Sequence, residues 1–160
     1  MNLIAYFSHS GNTETIARYV HDHVGGELFR ISAVKQYPSD YDAVVEVASV
    51  ELHANARPEL VQMVGSTEPY DVVYLGYPNW WSTMPMPVFT FLEQGDWAGK
   101  TIWPFCTHNG SSLGRSVQDI KRLCPRSTVL DGLAIRGSNA KSSKKTVLAW
   151  LDGPGRKKGT

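Results

Sequence analysis

Five apolar, β-rich runs stand out along the chain, at residues 3–7, 28–31, 71–75, 101–106 and 127–130. They are largely continuous rather than strictly alternating, as strands covered on both faces are. Helical patterns follow most of them. Residues 13–24 place Ile16, Ala17, Val20 and Val24 on one stripe, and residues 40–54 do the same with Val44, Val47, Ala48 and Leu52. A shorter helix is expected over 87–93, where Pro85 and Pro87 suit a first turn, and two more over 113–123 and 144–151. Gly25-Gly26 closes the first helix, as a C-terminal glycine should. Strand and helix thus alternate about five times, which predicts an α/β domain with a parallel sheet, right-handed crossovers and helices on both faces.

No domain boundary interrupts the 160 residues. Residues 65–69 read as a turn into the third strand, so residues 1–151 are expected to form one domain and 152–160 a polar, breaker-rich tail. Composition adds exclusions. Formal net charge is +1, too little to direct the chain to nucleic acid or an anionic membrane. The apolar run 1–7 is too short to span a bilayer and lacks the basic start and cleavage site of a signal peptide. A cytoplasmic location is the expectation. Cys106 and Cys124 form no CxxC pair and read as buried thiols. His21 and His23, two apart on a helix, point to different faces, so no metal site is expected.

Between the first strand and first helix lies Ser8-His9-Ser10-Gly11-Asn12-Thr13. Gly11 permits close backbone approach, Ser8, Ser10 and Thr13 offer hydroxyls, and the helix start offers free N–H groups to an anion. The loop has no lysine or arginine and is neither GxxxxGK[ST] nor GxGxxG, which argues against an NTPase or a dinucleotide fold. Taken alone, the same residues also suit a simple capped turn. Their sequence and position resemble the flavodoxin phosphate signature, [ST]-x-[ST]-G-N-T, directly after the first strand. That resemblance implies an FMN phosphate bound by Ser8, Ser10, Gly11, Asn12 and Thr13 without cationic side chains.

After the third strand comes Gly76-Tyr77-Pro78-Asn79-Trp80-Trp81-Ser82. Adjacent tryptophans in a proline-bounded loop are hard to bury together, and one can serve as a wall for a planar ring. The segment resembles the flavin-ring loop of short flavodoxin-like proteins, which implies that Pro78, Asn79, Trp80, Trp81 and Ser82 border the isoalloxazine. Which tryptophan stacks is open at this point.

The third loop, Thr107-His108-Asn109-Gly110-Ser111, follows the fourth strand. Residues 110–114 formally satisfy the G-x-S-x-G elbow of α/β-hydrolases. Ser112 lies six residues beyond Cys106, however, and every histidine precedes it, whereas the hydrolase order requires one after it. The loop instead resembles the family's second ring-binding loop, with backbone donors for the flavin edge. The resemblance runs over roughly residues 2 to 151. It implies a flavodoxin-like doubly wound, five-stranded parallel sheet in the order 2-1-3-4-5, which brings the carboxyl ends of strands one, three and four together at the ligand crevice.

FMN would then supply the redox chemistry and the protein its orientation and electrostatics. Two classes follow: an electron-transfer protein serving redox partner proteins, or a small NAD(P)H:quinone-type oxidoreductase acting on a quinone-like acceptor. No segment marks a nicotinamide pocket, which favours the carrier. His108 and Arg115 flank the third loop, and the chain lacks the strong acidity of typical flavodoxins. Positive charge beside the ring favours a two-electron reduced anion.

Overall fold

The computed structural model describes residues 1–153; the expected polar tail therefore lies, from Pro154 onward, outside the described residues. Strands Asn2–Tyr6 (β1), Glu27–Arg30 (β2), Val72–Pro78 (β3) and Thr101–His108 (β4) alternate with helices Asn12–Val24 (α1), Tyr41–His53 (α2) and Met86–Gln94 (α3). Helix Ser116–Leu123 (α4) follows, then the short strands Thr128–Val129 (β5) and Leu133–Arg136 (β6). A 3-10 turn at Gly137–Ser142 and helix Lys144–Leu151 (α5) complete the described chain. All pairings in the sheet are parallel, in the order β2-β1-β3-β4-β5.

The expected fifth strand is split in two. The lower half of β4 pairs with Thr128 and Val129, and its upper half, Phe105 to His108, pairs with Leu133 to Arg136. The break falls at Asp131-Gly132. There the Asp131 carbonyl turns away from the sheet to accept the indole N–H groups of Trp103 (3.2 Å) and Trp150 (3.3 Å). This makes six strands rather than five, without changing the order.

Burial follows the twofold strand period. Leu3 and Ala5 face one layer, where Val88, Phe91 and Leu92 of α3 and Ile120 of α4 meet them. Ile4 and Tyr6 face the other, against Ile16, Ala17 and Val20 of α1 and Val147 and Leu151 of α5. Each such fully buried aliphatic side chain contributes about 1.5–3 kcal/mol. Helix α2 is thinly packed: of its thirteen residues only Val44 and Ala48 are buried, and Val50 is exposed. It begins where Asp40 accepts the Ala43 N–H at 3.0 Å, a side-chain cap. Helix α4 begins at Ser116, three residues later than its apolar period predicts, because Gly114 is left-handed (φ 56°).

Candidate functional site

The carboxyl ends of β1, β3 and β4 open into a cleft of about 560 Å³, within the usual range for small-molecule sites. In the first loop, Ser8 is buried and its Oγ accepts the N–H groups of Gly11 and Glu14, both at 3.2 Å. Thr15 N–H is taken by Gly11 O. The N–H groups of Ser10, Asn12 and Thr13 make no hydrogen bond among the described residues; those of Asn12 and Thr13 belong to the helix's first turn, where the ladder offers no acceptor. Ser10 and Asn12 line the cleft. Thr13 is turned inward, its hydroxyl 2.8 Å from that of Thr107, both buried.

Behind this loop, Arg30 donates to Ser8 O (3.0 Å) and pairs with Glu14 (3.2 Å). The hydrogen bond from Arg18 holds the Glu14 carboxyl below its usual range, and Arg30 adds to it. The cations thus brace the loop from outside. No lysine or arginine lines the cleft, so an anion there would be held by backbone dipoles and hydroxyls.

The second loop is a tight hairpin. Trp80 and Thr83 exchange N–H to C=O bonds of 2.9 and 3.3 Å. Trp80 is half-buried, edge-on to Phe7, His9 and Tyr37 at centroid distances of 5.3, 5.9 and 5.2 Å. Trp81 is 49% exposed and donates its indole N–H to Val45 O on α2 at 2.9 Å. Asn79 ties this loop to the third: its N–H donates to Thr107 O (2.8 Å) and its amide N–H to Ser112 O (2.7 Å), while its amide oxygen accepts Ser82 N–H (2.9 Å). The side-chain amide of Asn79 is therefore engaged within the protein. Arg115 N–H reaches Ser82 O at 2.7 Å. A Cβ on Gly114 would stand 2.3 Å from that oxygen, so glycine is required for the two loops to meet.

In the third loop, His108 Nδ1 accepts the Gly110 N–H at 2.9 Å, which leaves the imidazole proton on Nε2. Burial, aided by the nearby Arg136 charge, pushes the His108 pKa down. His108 is thus a neutral donor at the cleft. Arg115, expected as a cation beside this loop, pairs instead with Asp119 at 3.5 Å. The cation that abuts the loop is Arg136, the register neighbour of His108; a Cβ on Gly110 would lie 3.8 Å from its Nη1.

Of the residues the sequence pointed to, Ser10, Asn12, Pro78, Asn79, Trp80, Trp81, Ser82, Thr107, His108, Asn109 and Ser111 meet around one cleft. Ser8, Gly11, Thr13 and Gly110 lie outside its lining and shape the backbone. Sequence reasoning missed His9, four residues of α2 (Tyr41, Val44, Val45 and Ala48), and Gly137 and Ser138 after β6. The α2 group had a faint signal, since valines there occupy more than one stripe. Gly137 had none: a Cβ on it would lie 2.8 Å from Asn12 Nδ2, a contact between segments far apart in sequence.

The flavodoxin family model matches residues 1–153 of this sequence. The chain belongs to the flavodoxin family. Among solved structures, the chain resembles a protein assigned as a flavoprotein from Bacteroides uniformis. The two share 33% identity over 95% of this chain and 97% of the other, with a TM-score of 0.85. A second such protein, from Bacteroides eggerthii, gives 34% identity, coverage of 94% and 95%, and a TM-score of 0.82. A flavoprotein solved in complex with FMN, from Lactobacillus acidophilus, shares the fold at 21% identity, coverage of 88% and 96%, and a TM-score of 0.69. A search of curated protein sequences gave no match.

Proposed function

We propose that the protein binds one FMN noncovalently in the cleft and works as an electron-transfer protein. The observation that carries the reading is the set of N–H groups at Ser10, Asn12 and Thr13 left without an acceptor among the described residues, at a loop beside a cleft that no lysine or arginine lines. A phosphate there satisfies donors that the fold leaves open. The FMN complex of the Lactobacillus acidophilus relative supports the same coenzyme.

FMN when bound supplies the redox chemistry. The chain's own residues do the rest. Asn12, Thr13 and the Ser10 hydroxyl hold the phosphate, and Pro78 and Trp80 border the ring. The backbone of Thr107 to Ser111 offers donors to the ring edge, with His108 Nε2–H as a further one. Thr13 and Thr107 keep the phosphate loop and ring loop in fixed register.

A second reading is a small FMN-dependent oxidoreductase. It draws on one observation: the cleft extends beyond the three loops to an apolar wall on α2, leaving space for a second planar reactant. The discriminating experiment is a visible spectrum of the purified protein with FMN titration, followed by anaerobic NADPH. Yellow protein unaffected by NADPH supports the carrier, and fast bleaching supports the oxidoreductase. Protein that takes up no FMN removes both.

A further inference from the structure

The formal net charge of +1 conceals a strong segregation of charge along the chain. Residues 1–99 hold twelve aspartates and glutamates against four lysines and arginines. Residues 100–153 reverse this, with nine lysines and arginines against three aspartates. The fold turns this step in sequence into a step in space. Residue 99 separates β1, β2 and β3 from β4, β5 and β6, and the sheet order keeps the two groups on opposite sides. The side with α4 and α5 is therefore basic, and the side with α1 and α2 acidic.

Eight of the nine cations lie between Arg115 and Lys145, and all eight are exposed. Among the described residues only Arg115 and Arg122 of these make an ion pair, and they share one carboxylate, Asp119. The basic flank also reaches the cleft. Arg115 N–H bonds Ser82 O of the second loop, and Arg136 abuts the third loop beside His108.

The composition of the flank narrows what can dock on it. The exposed large apolar side chains among the described residues, from Met1 to Trp81, all fall within residues 1–99. The flank thus has no exposed ring to stack on nucleobases and no large apolar side chain to insert among lipids. A long polyanion or an anionic bilayer would also meet the acidic side, which repels it, whereas a compact acidic protein need touch only the flank. A second copy offering its acidic side would join head to tail and leave the next flank open, so no closed pair forms. We infer that the β4–β6 flank is a docking surface for a small acidic redox protein, which Arg115 and Arg136 hold beside the cleft. That the partner carries electrons rests on the electron-transfer reading above.

The test titrates FMN-loaded, isotope-labelled protein with oxidised plant-type ferredoxin, a small acidic iron–sulfur protein, so that no electrons move. Salt is held at about 0.1 M, where charge effects reach only about 10 Å. Saturable binding is expected, with NMR shifts on residues 109–145 and none on α2, and added salt weakens it. The combined variant Lys121→Gln, Arg126→Gln, Lys144→Gln, Lys145→Gln is expected to bind about tenfold more weakly. The combined variant Lys35→Glu, Gln36→Glu, Gln62→Glu carries the same net charge but changes the acidic side, and is expected to bind within about twofold of wild type. FMN affinity and unfolding midpoint are the same in all three proteins. Ferredoxin that does not bind, or that binds both variants alike, overturns the docking surface alone. Equal binding of basic cytochrome c does so too, as does tighter binding of a DNA duplex or of phosphatidylserine vesicles. Self-association lost in the flank variant, read by sedimentation, overturns it as well, since a second copy is then the occupant. Failure to take up FMN, read from the spectrum beforehand, overturns the coenzyme reading and the partner's redox role together.

Discussion

The hydroxyls of Thr13 and Thr107 meet at 2.8 Å inside the protein, joining loops 94 residues apart. Removing one leaves the other buried and unpaired, at about 1–3 kcal/mol. Thr107→Val is therefore expected to lower stability to urea by that amount, and the Thr13→Val, Thr107→Val double variant by less than the two singles combined. The same cycle, read by FMN and riboflavin titrations, is expected to reduce the preference for the phosphorylated form.

Ser82 holds a left-handed backbone at φ 70° with no ring to present. Ser82→Gly removes the steric penalty but adds freedom to the unfolded chain, for a net gain of about 0.5–1 kcal/mol. Thermal unfolding is expected to move up by about 2 °C. An unchanged or lower midpoint would show that the turn is relaxed as it stands.

Asp119 is nearly buried beneath the second and third loops. It accepts from Thr83, pairs with Arg122 at 3.0 Å and faces Arg115 at 3.5 Å. Asp119→Ala strips three donors of their acceptor and is expected to lower stability by about 2–3 kcal/mol. Asp119→Asn, which keeps an oxygen there, is expected to lose less. Urea midpoints rank the variants.

His108 has its pKa pushed down by burial and then by Arg136. The unfolded chain therefore takes up this proton at a higher pH than the folded one. Stability from this residue is full above the ordinary histidine range near 6.5 and falls as pH drops from there through the folded value. A proton titration by NMR is expected to place His108 below 6.5, and His108→Gln is expected to flatten the decline in unfolding midpoint over that window. Protonation also removes the Nδ1 acceptor of Gly110 N–H, so FMN release should follow the same pH course.

Burial raises the Cys106 thiol to about 12 and the Cys124 thiol to about 11. Thiolate is scarce at pH 8 in the folded protein. Iodoacetamide is expected to leave both untouched there and to modify both once urea unfolds the chain, counted by mass.

Most of the fold was legible because its strands are apolar runs bounded by turn residues, and burial on both faces leaves that run unbroken. The split at Asp131-Gly132 was not, since it depends on two indoles, Trp103 and Trp150, sharing one carbonyl. In the site, small residues at strand ends marked three loops that meet at one cleft, but not the direction of each hydroxyl. Ser8 and Thr13 read as ligands from their type, and they point inward because Gly11, Glu14 and Thr107 offer them partners. Tyr41 and Val45 were missed for the opposite reason: nothing local says which helix face overhangs a cleft built by three other segments.

The interrupted strand at one side of the sheet has a further consequence. A long, flat edge offers a row of free N–H and C=O groups on which another chain can add itself. Here that margin consists of a two-residue and a four-residue piece set off by a kink, and the opposite margin, β2, is four residues long with charged Glu27 and Arg30 at its ends. Neither side presents a straight template, so the fold resists edge-to-edge polymerisation even when crowded.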